Sequence, residues 1–297
     1  MRWRRRTRPS GWLPWVNDKA GVTVAQALRD AAARLAATSD TARLDAEVLM
    51  AHALGVSRSD MLLRRMGDPV PAGFATLADR RAAHEPVAYI TGRVGFYGLE
   101  LEISSAVLIP RADSETLIEA ARAAFADCAP ARILDLGTGS GALLLAALSI
   151  WPAAAALGID RSPEALAVAA ANGARLAPAA RFAAADWTIP DWASDLGAFD
   201  LILANPPYVE EAADLAPSVR DYEPGGALFA GPEGLDAYRV LIPQLPALIA
   251  PGGVALIEIG STQAAAVAAI AAAAGLSTRV HRDLGGRDRA VEMRAQG

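Results

Sequence analysis

The segment from Ile133 to Gly141, Ile-Leu-Asp-Leu-Gly-Thr-Gly-Ser-Gly, constrains the fold of this chain more than any other. An apolar run that ends in closely spaced glycines and continues into an Ala/Leu-rich stretch predicts a strand, a tight turn and a helix. Glycines let the backbone approach a ligand closely, and the N-terminus of a helix presents unpaired N–H groups. The segment therefore predicts a nucleotide-type site at the carboxyl end of a strand in an α/β sheet.

Strand-like and helix-like segments alternate from about Arg111 onwards, which predicts a mostly parallel sheet covered by helices on both faces. The predicted strands are Arg132–Leu136, Ala155–Asp160, Arg181–Ala185, Phe199–Ala204 and Gly253–Ile259, with Ser277–Arg282 and Ala290–Arg294 as further candidates. The predicted helices are Ser114–Phe125, Ala142–Trp151, Pro163–Leu176, Leu235–Ile249 and Thr262–Ala274.

The first third of the chain has a helical pattern instead. From Thr23 to about Glu85, apolar residues recur every three to four positions, which predicts a small bundle of four or five helices. Thr23 and Thr41 are the expected N-caps, and Gly55 is an expected C-cap. Further short helices are expected over about Arg58–Arg65 and Ala72–His84.

Between Val87 and Ile109, β-branched and aromatic residues are interrupted by glycines, which predicts a β-hairpin. We therefore expect a helical domain at residues 22–86, a hairpin linker at 87–110 and a larger α/β domain at 111–297. Residues 1–21 are predicted to be a disordered extension.

The charge distribution argues against a nucleic-acid partner. The 297-residue chain has a net charge of −5, with five arginines among the first eight residues. Of 28 basic residues, taking away those five leaves 23 against 33 acidic ones. Because so acidic a body repels phosphate backbones, we expect no stable nucleic-acid partner.

The remaining composition excludes several other classes. Cys128 is the only cysteine, so no internal disulfide can form, which suits a reducing compartment. The three histidines are scattered without the spacing of metal ligands. No apolar run is long enough to span a membrane, and the arginine-rich start lacks the apolar core of a signal peptide. We expect a monomeric cytoplasmic protein with no metal site and no membrane contact.

A second acidic position and the glycine spacing indicate which nucleotide is bound. The strand after the glycine turn ends in Asp160, where a carboxylate accepts hydrogen bonds from ribose hydroxyls. The turn itself reads Gly-x-Gly-x-Gly, unlike the Gly-x-Gly-x-x-Gly of dinucleotide folds. Asp135, just before the turn, suits a ligand that carries a sulfonium and an ammonium. The predicted cofactor is therefore S-adenosylmethionine, with S-adenosylhomocysteine as its product.

Asp186 and Trp187 follow the third predicted strand, where an adenine could stack on the indole and donate its amino group to the carboxylate. The alternative is that Trp187 only packs against a neighbouring loop. The cofactor-binding residues predicted from this pattern are Asp135, Gly137, Thr138, Gly139, Ser140, Gly141, Asp160, Asp186 and Trp187.

The tetrapeptide Asn205-Pro206-Pro207-Tyr208 follows the predicted buried strand Phe199–Ala204 and indicates the reaction. The two prolines lack N–H donors and stiffen the backbone, so the Asn205 side chain and the Pro206 carbonyl become fixed acceptors. They can hold both hydrogens of a planar amide or base nitrogen, while Tyr208 stacks on its face. These four residues are the predicted catalytic and substrate-binding residues of an N-methyltransferase that works by alignment and electrostatic complementarity.

Several segments in order are similar to the PrmC/HemK family of protein-(glutamine-N5) methyltransferases, which modify the Gly-Gly-Gln glutamine of peptide-chain release factors. The resemblance runs from about Thr23 to Met293. Its matching segments are the glycine turn, the tetrapeptide, and the runs 85–92, 96–99, 108–115, 222–224, 234–239, 258–260 and 283–287. It implies a class I (Rossmann-like) seven-stranded S-adenosylmethionine-dependent methyltransferase sheet, a helical N-terminal substrate-recognition domain and a β-hairpin linker. It also implies that Asn205 takes part in cofactor binding and that bacterial class I release factors are the protein substrate.

Two positions depart from the family pattern: Ser114 replaces an expected threonine and Gly225 an expected arginine. Three other functions share parts of the pattern. A glutamine methyltransferase of a large-subunit ribosomal protein shares the turn and the tetrapeptide. An adenine-N6 DNA methyltransferase also uses the tetrapeptide on flipped bases, but the acidic body and the lack of a target-recognition domain argue against it. A module that binds the cofactor without turnover would not need the tetrapeptide.

Overall fold

The computed structural model describes residues 21–295. They divide into two compact units, one ending at Thr91 and the other beginning at Gly92. Residues 1–20, which the sequence predicts as most of a disordered extension, lie outside the described residues. Within the described part of the chain, no helix is long and apolar enough to cross a membrane.

The first unit is a bundle of five short helices around one apolar core. Leu28, Leu49, Met61 and Phe74 are fully buried in that core. The helices are α1 (Val24–Leu35), α2 (Ala42–Leu54), α3 (Arg58–Arg64), α4 (Phe74–Ala82) and α5 (Val87–Thr91).

Two of the three predicted helix caps are confirmed. The Thr23 side chain accepts a hydrogen bond from the Gln26 N–H at the start of α1, and Gly55 ends α2 in the left-handed region with φ 67°. Thr41 precedes α2 but caps no N–H; its hydroxyl instead donates to Asp45 at 2.9 Å.

The prediction of strand at residues 87–91 is wrong, because this segment forms α5. The Pro86 carbonyl accepts hydrogen bonds from the N–H groups of Tyr89 and Ile90, and Ile90 is buried in the helical core. Packing therefore overrides the β preference of these side chains. The hairpin is shorter than predicted and consists of β1 (Arg93–Phe96) and antiparallel β2 (Leu99–Glu102).

A seven-stranded sheet forms the centre of the second unit, in the order β5-β4-β3-β6-β7-β9-β8. Among the described residues, β9 is the one strand of this sheet that runs antiparallel to the other six. The arrangement confirms the predicted class I methyltransferase fold. The strands are β3 (Arg132–Leu136), β4 (Ala155–Asp160), β5 (Arg181–Ala184), β6 (Phe199–Ala204), β7 (Ile249–Glu258), β8 (Leu276–Arg282) and β9 (Asp288–Ala295).

Helices pack in two groups against this sheet. The first group, in which neighbours contact one another, is α6 (Glu115–Ala124), α7 (Ala142–Ile150) and α8 (Pro163–Leu176). The second includes α10 (Asp236–Leu241), α11 (Leu245–Leu248) and α12 (Ala264–Ala273), while the short α9 is Pro217–Arg220.

The single helix predicted over Leu235–Ile249 is divided into α10, a 3-10 turn at Ile242–Gln244 and α11. Pro243 and Pro246 explain the division, since neither can donate a backbone hydrogen bond.

The strand order reverses at β3, which lies between β4 and β6. The chain builds outward from β3 to β5 and then returns to place β6 on the other side of β3. Ligands of open α/β sheets bind at such a switch point, outside the carboxyl ends of the strands. The glycine turn after β3 and the tetrapeptide after β6 therefore meet at this place.

Candidate active site

A cleft of about 500 Å³ opens at the switch point. Most of the predicted site residues line it: Asp135, Gly137, Thr138, Gly139, Ser140, Asp160, Asp186, Trp187, Asn205 and Pro207. Gly141, Pro206 and Tyr208 do not. Gly141 is instead the N-cap of α7 with φ 83°, and Pro206 is buried.

The glycine turn is fixed to the neighbouring strand by its own backbone. The N–H groups of Gly137 and Thr138 both donate to the Ile159 carbonyl, at 2.9 and 2.8 Å. Gly137 has φ 73°, and a Cβ there would lie 3.0 Å from the Trp187 ring. Glycine is therefore required both for the conformation and for the space beneath the indole.

Asp160 ends β4 and connects the turn to the next helix. One carboxylate oxygen accepts from the Gly139 N–H at 3.0 Å, and the other accepts from the Ser162 N–H at 2.9 Å. Ser162 is the N-cap of α8. Asp160 thus lines the cleft and also shapes both backbone segments beside it.

Asp135 is a buried carboxyl group at the cleft, with 1% of its surface exposed. Burial raises its pKa to about 7, although the Thr138 hydroxyl donates to it at 2.6 Å. Its second oxygen has no hydrogen-bond partner among the described residues. A buried carboxylate with one open acceptor fits a cationic ligand group, because pairing would offset the cost of burying the charge.

Asp186 and Trp187 occupy the far end of the cleft. The Thr188 hydroxyl and backbone N–H donate to the Asp186 carboxylate, at 2.7 and 2.9 Å, and lower its pKa. The half-buried Trp187 packs over the glycine turn, and its carbonyl accepts from Gln244 at 3.1 Å. Trp187 therefore packs against neighbouring segments and also lines the cleft, and its stacking on an adenine stays a prediction.

Side chains from three other segments hold the tetrapeptide. The Asn205 Nδ2 group donates to the Ser114 hydroxyl at 3.4 Å. The Tyr208 hydroxyl donates to Glu258 at 3.2 Å, and the Tyr208 carbonyl accepts from Gln263 at 3.0 Å. Burial together with the nearby Glu258 charge raises the Tyr208 pKa. The predicted stacking of Tyr208 on the substrate stays a prediction.

Two buried residues at this site were not assigned a role from the sequence. Ser114 ends the 3-10 turn Ala112–Ser114 before α6, and Glu258 ends β7. The signal for Glu258 was available, because it stands at the end of its strand just as Asp160 does. Ser114 is recognisable only through its contact with Asn205, which sequence spacing does not reveal.

Glu223 and Arg111 also lie outside the predicted set, and they join two walls of the cleft. Glu223 is buried, pairs with the Arg111 guanidinium and accepts from the Ile109 N–H at 3.3 Å. The residues next to this pair, Pro110 and Pro224, line the cleft. The ion pair therefore fixes the distance between the loop before α6 and the loop after α9.

The chemistry available in the cleft is that of alignment. Among the described residues, no group of histidine, cysteine and carboxylate side chains could hold a metal ion. Rigid acceptors follow β6, while the glycine turn, Asp135 and Asp160 fit a nucleoside with a cationic tail. The Gly137 backbone packs directly against the Trp187 ring. The indole also lines the cleft, where a flat ring could pack against it.

Comparison with known proteins agrees with this geometry. A model of the PrmC N-terminal domain matches residues 26–92, and a methyltransferase-domain model matches residues 133–221. The chain is 44% identical over 280 residues to the release factor glutamine methyltransferase of Cereibacter sphaeroides, covering 91% of this chain and 98% of that protein.

Two further relatives carry the same description. The protein from Rhodospirillum rubrum is 43% identical, over 85% of this chain and 78% of its own length. The protein from Moorella thermoacetica is 41% identical, over 90% of this chain and 97% of its own length.

Proposed function

Because the chain belongs to the family of release factor glutamine methyltransferases, we propose that its target is the glutamine of the Gly-Gly-Gln motif in bacterial class I release factors. The enzyme transfers a methyl group from S-adenosylmethionine to the side-chain amide nitrogen of a release-factor glutamine. The observation that carries the proposal is the position of Asn205-Pro206-Pro207-Tyr208 after β6, one strand from the glycine turn after β3.

S-adenosylmethionine supplies an electrophilic methyl group. In our proposal the open oxygen of Asp135 holds its ammonium, Asp160 accepts from the ribose hydroxyls, and Trp187 stacks on the adenine with Asp186 beside it. The glycine turn from Gly137 to Gly141 admits the ligand close to the backbone.

The acceptor nitrogen is a weak nucleophile, since its lone pair is delocalised into the amide. We assign its two hydrogens to the Asn205 Oδ1 and the Pro206 carbonyl, and among the described residues no donor is paired with either oxygen. Two fixed acceptors orient the nitrogen and let it become pyramidal as the new bond forms. The methylated nitrogen is acidic and loses its proton afterwards, so no general base is required. Rate enhancement comes from orientation and preorganised dipoles.

These two acceptors recognise an amide group and little else of the substrate. Selection of one protein substrate therefore requires a second contact surface. The acidic body favours a protein partner with a basic surface. We assign this contact to the helical unit that the PrmC N-terminal model matches. A substrate that acts on ribosomes supports a cytoplasmic location.

Mass spectrometry after incubation with S-adenosylmethionine tests the proposal. Purified release factor, large-subunit ribosomal proteins and adenine-containing DNA are offered in parallel. We expect a gain of one methyl group on the Gly-Gly-Gln glutamine, and far slower modification of a short Gly-Gly-Gln peptide. Methylation of ribosomal protein or DNA, with release factor unmodified, would assign the enzyme to one of the other two substrate classes.

A further inference from the structure

The amide of Asn205 can turn either its oxygen or its nitrogen towards the cleft. Only the orientation with the oxygen towards the substrate accepts an N–H hydrogen, as the proposed function requires. The question on which that function rests is therefore what fixes the amide. The answer lies in the side chains that contact it.

Ser114, which also lines the cleft, is the side chain that contacts the Asn205 amide. It is 3% exposed, and its Oγ lies 3.4 Å from the Asn205 Nδ2. A hydroxyl can either accept from an amide N–H or donate to an amide oxygen, because it has one proton and two lone pairs. The direction in which the serine proton points therefore decides which end of the amide faces Ser114.

Glu258 provides an acceptor for that proton. It is 1% exposed, and its Oε1 accepts from the Tyr208 hydroxyl at 3.2 Å. Its Oε2 has no hydrogen-bond partner among the described residues. The Ser114 hydroxyl lowers the pKa of this carboxyl group by hydrogen bonding, against the stronger raising effect of burial.

Ser114 and Glu258 have complementary hydrogen-bonding groups, a hydroxyl donor and a carboxylate acceptor. A carboxylate only accepts hydrogen bonds, and a buried donor or acceptor without a partner costs about 1–3 kcal/mol. Among the described residues, no other acceptor is paired with the Ser114 proton, and no donor is paired with Glu258 Oε2. A hydrogen bond from the serine hydroxyl to Glu258 Oε2 would satisfy both.

We propose that Glu258 and Ser114 are positioning residues that set the orientation of the Asn205 amide. Glu258 accepts the Ser114 proton, which leaves the serine oxygen to accept from Asn205 Nδ2. The Asn205 Oδ1 then faces the substrate. Glu258 also holds Tyr208, so one buried carboxylate fixes both ends of the tetrapeptide.

A double-mutant cycle on the full-length enzyme, with release factor as substrate, tests this role. Ser114→Ala should lower kcat about tenfold, the effect of one lost hydrogen bond, and leave the cofactor Kd unchanged. Ser114→Thr, which keeps the hydroxyl, should restore most of that loss. The matched control Ser277→Ala, on exposed β8, should match the wild type.

The decisive comparison is made in the Asn205→Ala variant. This substitution alone should lower kcat by a factor on the order of 10²–10³. There, Ser114→Ala should have no further effect, because no amide remains to be oriented. An equal loss of kcat in both backgrounds would show a merely structural serine and overturn the proposal. Glu258→Gln, whose amide can donate to Ser114 and reverse the order, should act like Ser114→Ala and add nothing to it.

Neutron diffraction on crystals of the deuterated full chain tests the orientation without any substrate. We expect deuterium on Ser114 Oγ pointing at Glu258, and both deuterons of the Asn205 amide on the atom that faces Ser114. The reverse order would overturn the proposal whatever the activity. The expected order in a protein that fails to methylate release factor would leave the orientation established and reject the proposed function alone.

Discussion

At the scale of single residues, Asp135 and Asp160 share a cleft but differ in their surroundings. Asp160 is partly exposed and has a backbone N–H on each carboxylate oxygen. Asp135 is buried, with one hydroxyl donor and one oxygen left open. The two carboxyl groups should therefore respond differently to substitution and to pH.

Replacing Asp160 should weaken cofactor binding. Asp160→Ala removes the predicted ribose acceptor and should cost roughly 1–3 kcal/mol of binding free energy by calorimetry. Because Asp160 also holds the Gly139 and Ser162 N–H groups, thermal unfolding must first show that the variant is folded. Unchanged cofactor affinity in a folded Asp160→Ala protein would remove Asp160 from the cofactor site.

Cofactor affinity should rise with pH through about 7, where Asp135 ionises in the free protein. A cationic ligand prefers the ionised carboxyl group. Below this pKa, the Kd should therefore rise by up to about tenfold for each unit by which the pH falls. Calorimetry between pH 5.5 and 8 measures the pH dependence of the cofactor Kd, and Asp135→Asn is the control variant that should lack this dependence. An identical pH dependence in the control would show that Asp135 does not contact the cationic group.

The same ionisation should appear in the stability of the ligand-free protein. Burial raises the Asp135 pKa from 3.8 to about 7, so the folded state holds the proton more tightly than the unfolded chain. The associated stabilisation is complete below about pH 4 and is lost as pH rises through 7. Denaturant titrations of wild type and Asp135→Asn should diverge over this window, with the wild type losing more stability as the pH rises.

At the scale of elements, one buried side chain joins three segments of the second unit. Asn172 of α8 is fully buried; it accepts from the Glu102 N–H at 2.8 Å, and donates to the Glu102 carbonyl at 2.8 Å and to the Ser140 carbonyl at 3.0 Å. The hairpin strand β2 and the glycine turn are therefore both tied to the same helix.

Asn172→Ala should lower the free energy of unfolding of this unit by about 2–3 kcal/mol, because buried backbone groups lose their partners. It should also weaken cofactor binding, since Ser140 belongs to the turn. Urea unfolding and calorimetry measure the two effects. Asn172→Asp, which keeps the acceptor for Glu102 but loses both donors, should also be less stable than the wild type. Wild-type stability in the alanine variant would contradict a tethering role.

Strands β3, β4 and β6 and helix α8 have the bounds predicted from their apolar runs and flanking signals. The errors arose where distant contacts decide the structure. Tyr89 and Ile90 have side chains that favour strands, yet Ile90 packs into the helical core. Ser114 and Glu258 lie far apart in the chain, so their common position beside the tetrapeptide depends on the sheet order. The local sequence pattern predicts which residues end a strand. It does not predict which strand ends become neighbours in the sheet.

At the scale of the whole molecule, the two units have separate apolar cores. Among the described residues, those that line the cleft all belong to the second unit. Cofactor binding and methyl transfer are thus assigned to one unit, and selection of the protein substrate is predicted for the other.

Deleting residues up to Thr91 should therefore separate these activities. The truncated enzyme should bind the cofactor with an affinity near that of the full chain. Its kcat/KM on whole release factor should fall by on the order of tenfold or more, corresponding to a contact of about 1.4 kcal/mol or stronger. Turnover of a short Gly-Gly-Gln peptide is the internal control and should change little. An equal fall on peptide and protein would argue against a recognition role for the helical unit.

The order β7-β9-β8 has a consequence for how the protein is made. Strand β9 follows β8 in the chain but lies between β8 and β7 in the sheet. During synthesis, β8 therefore emerges from the ribosome before the strand that joins it to the sheet exists. Until residues 288–295 arrive, the edge of β7 from Ala255 to Glu258 stays unpaired, and exposed edges of this kind promote aggregation. A nascent chain halted between the two strands should need a chaperone, whereas one halted after β9 should not.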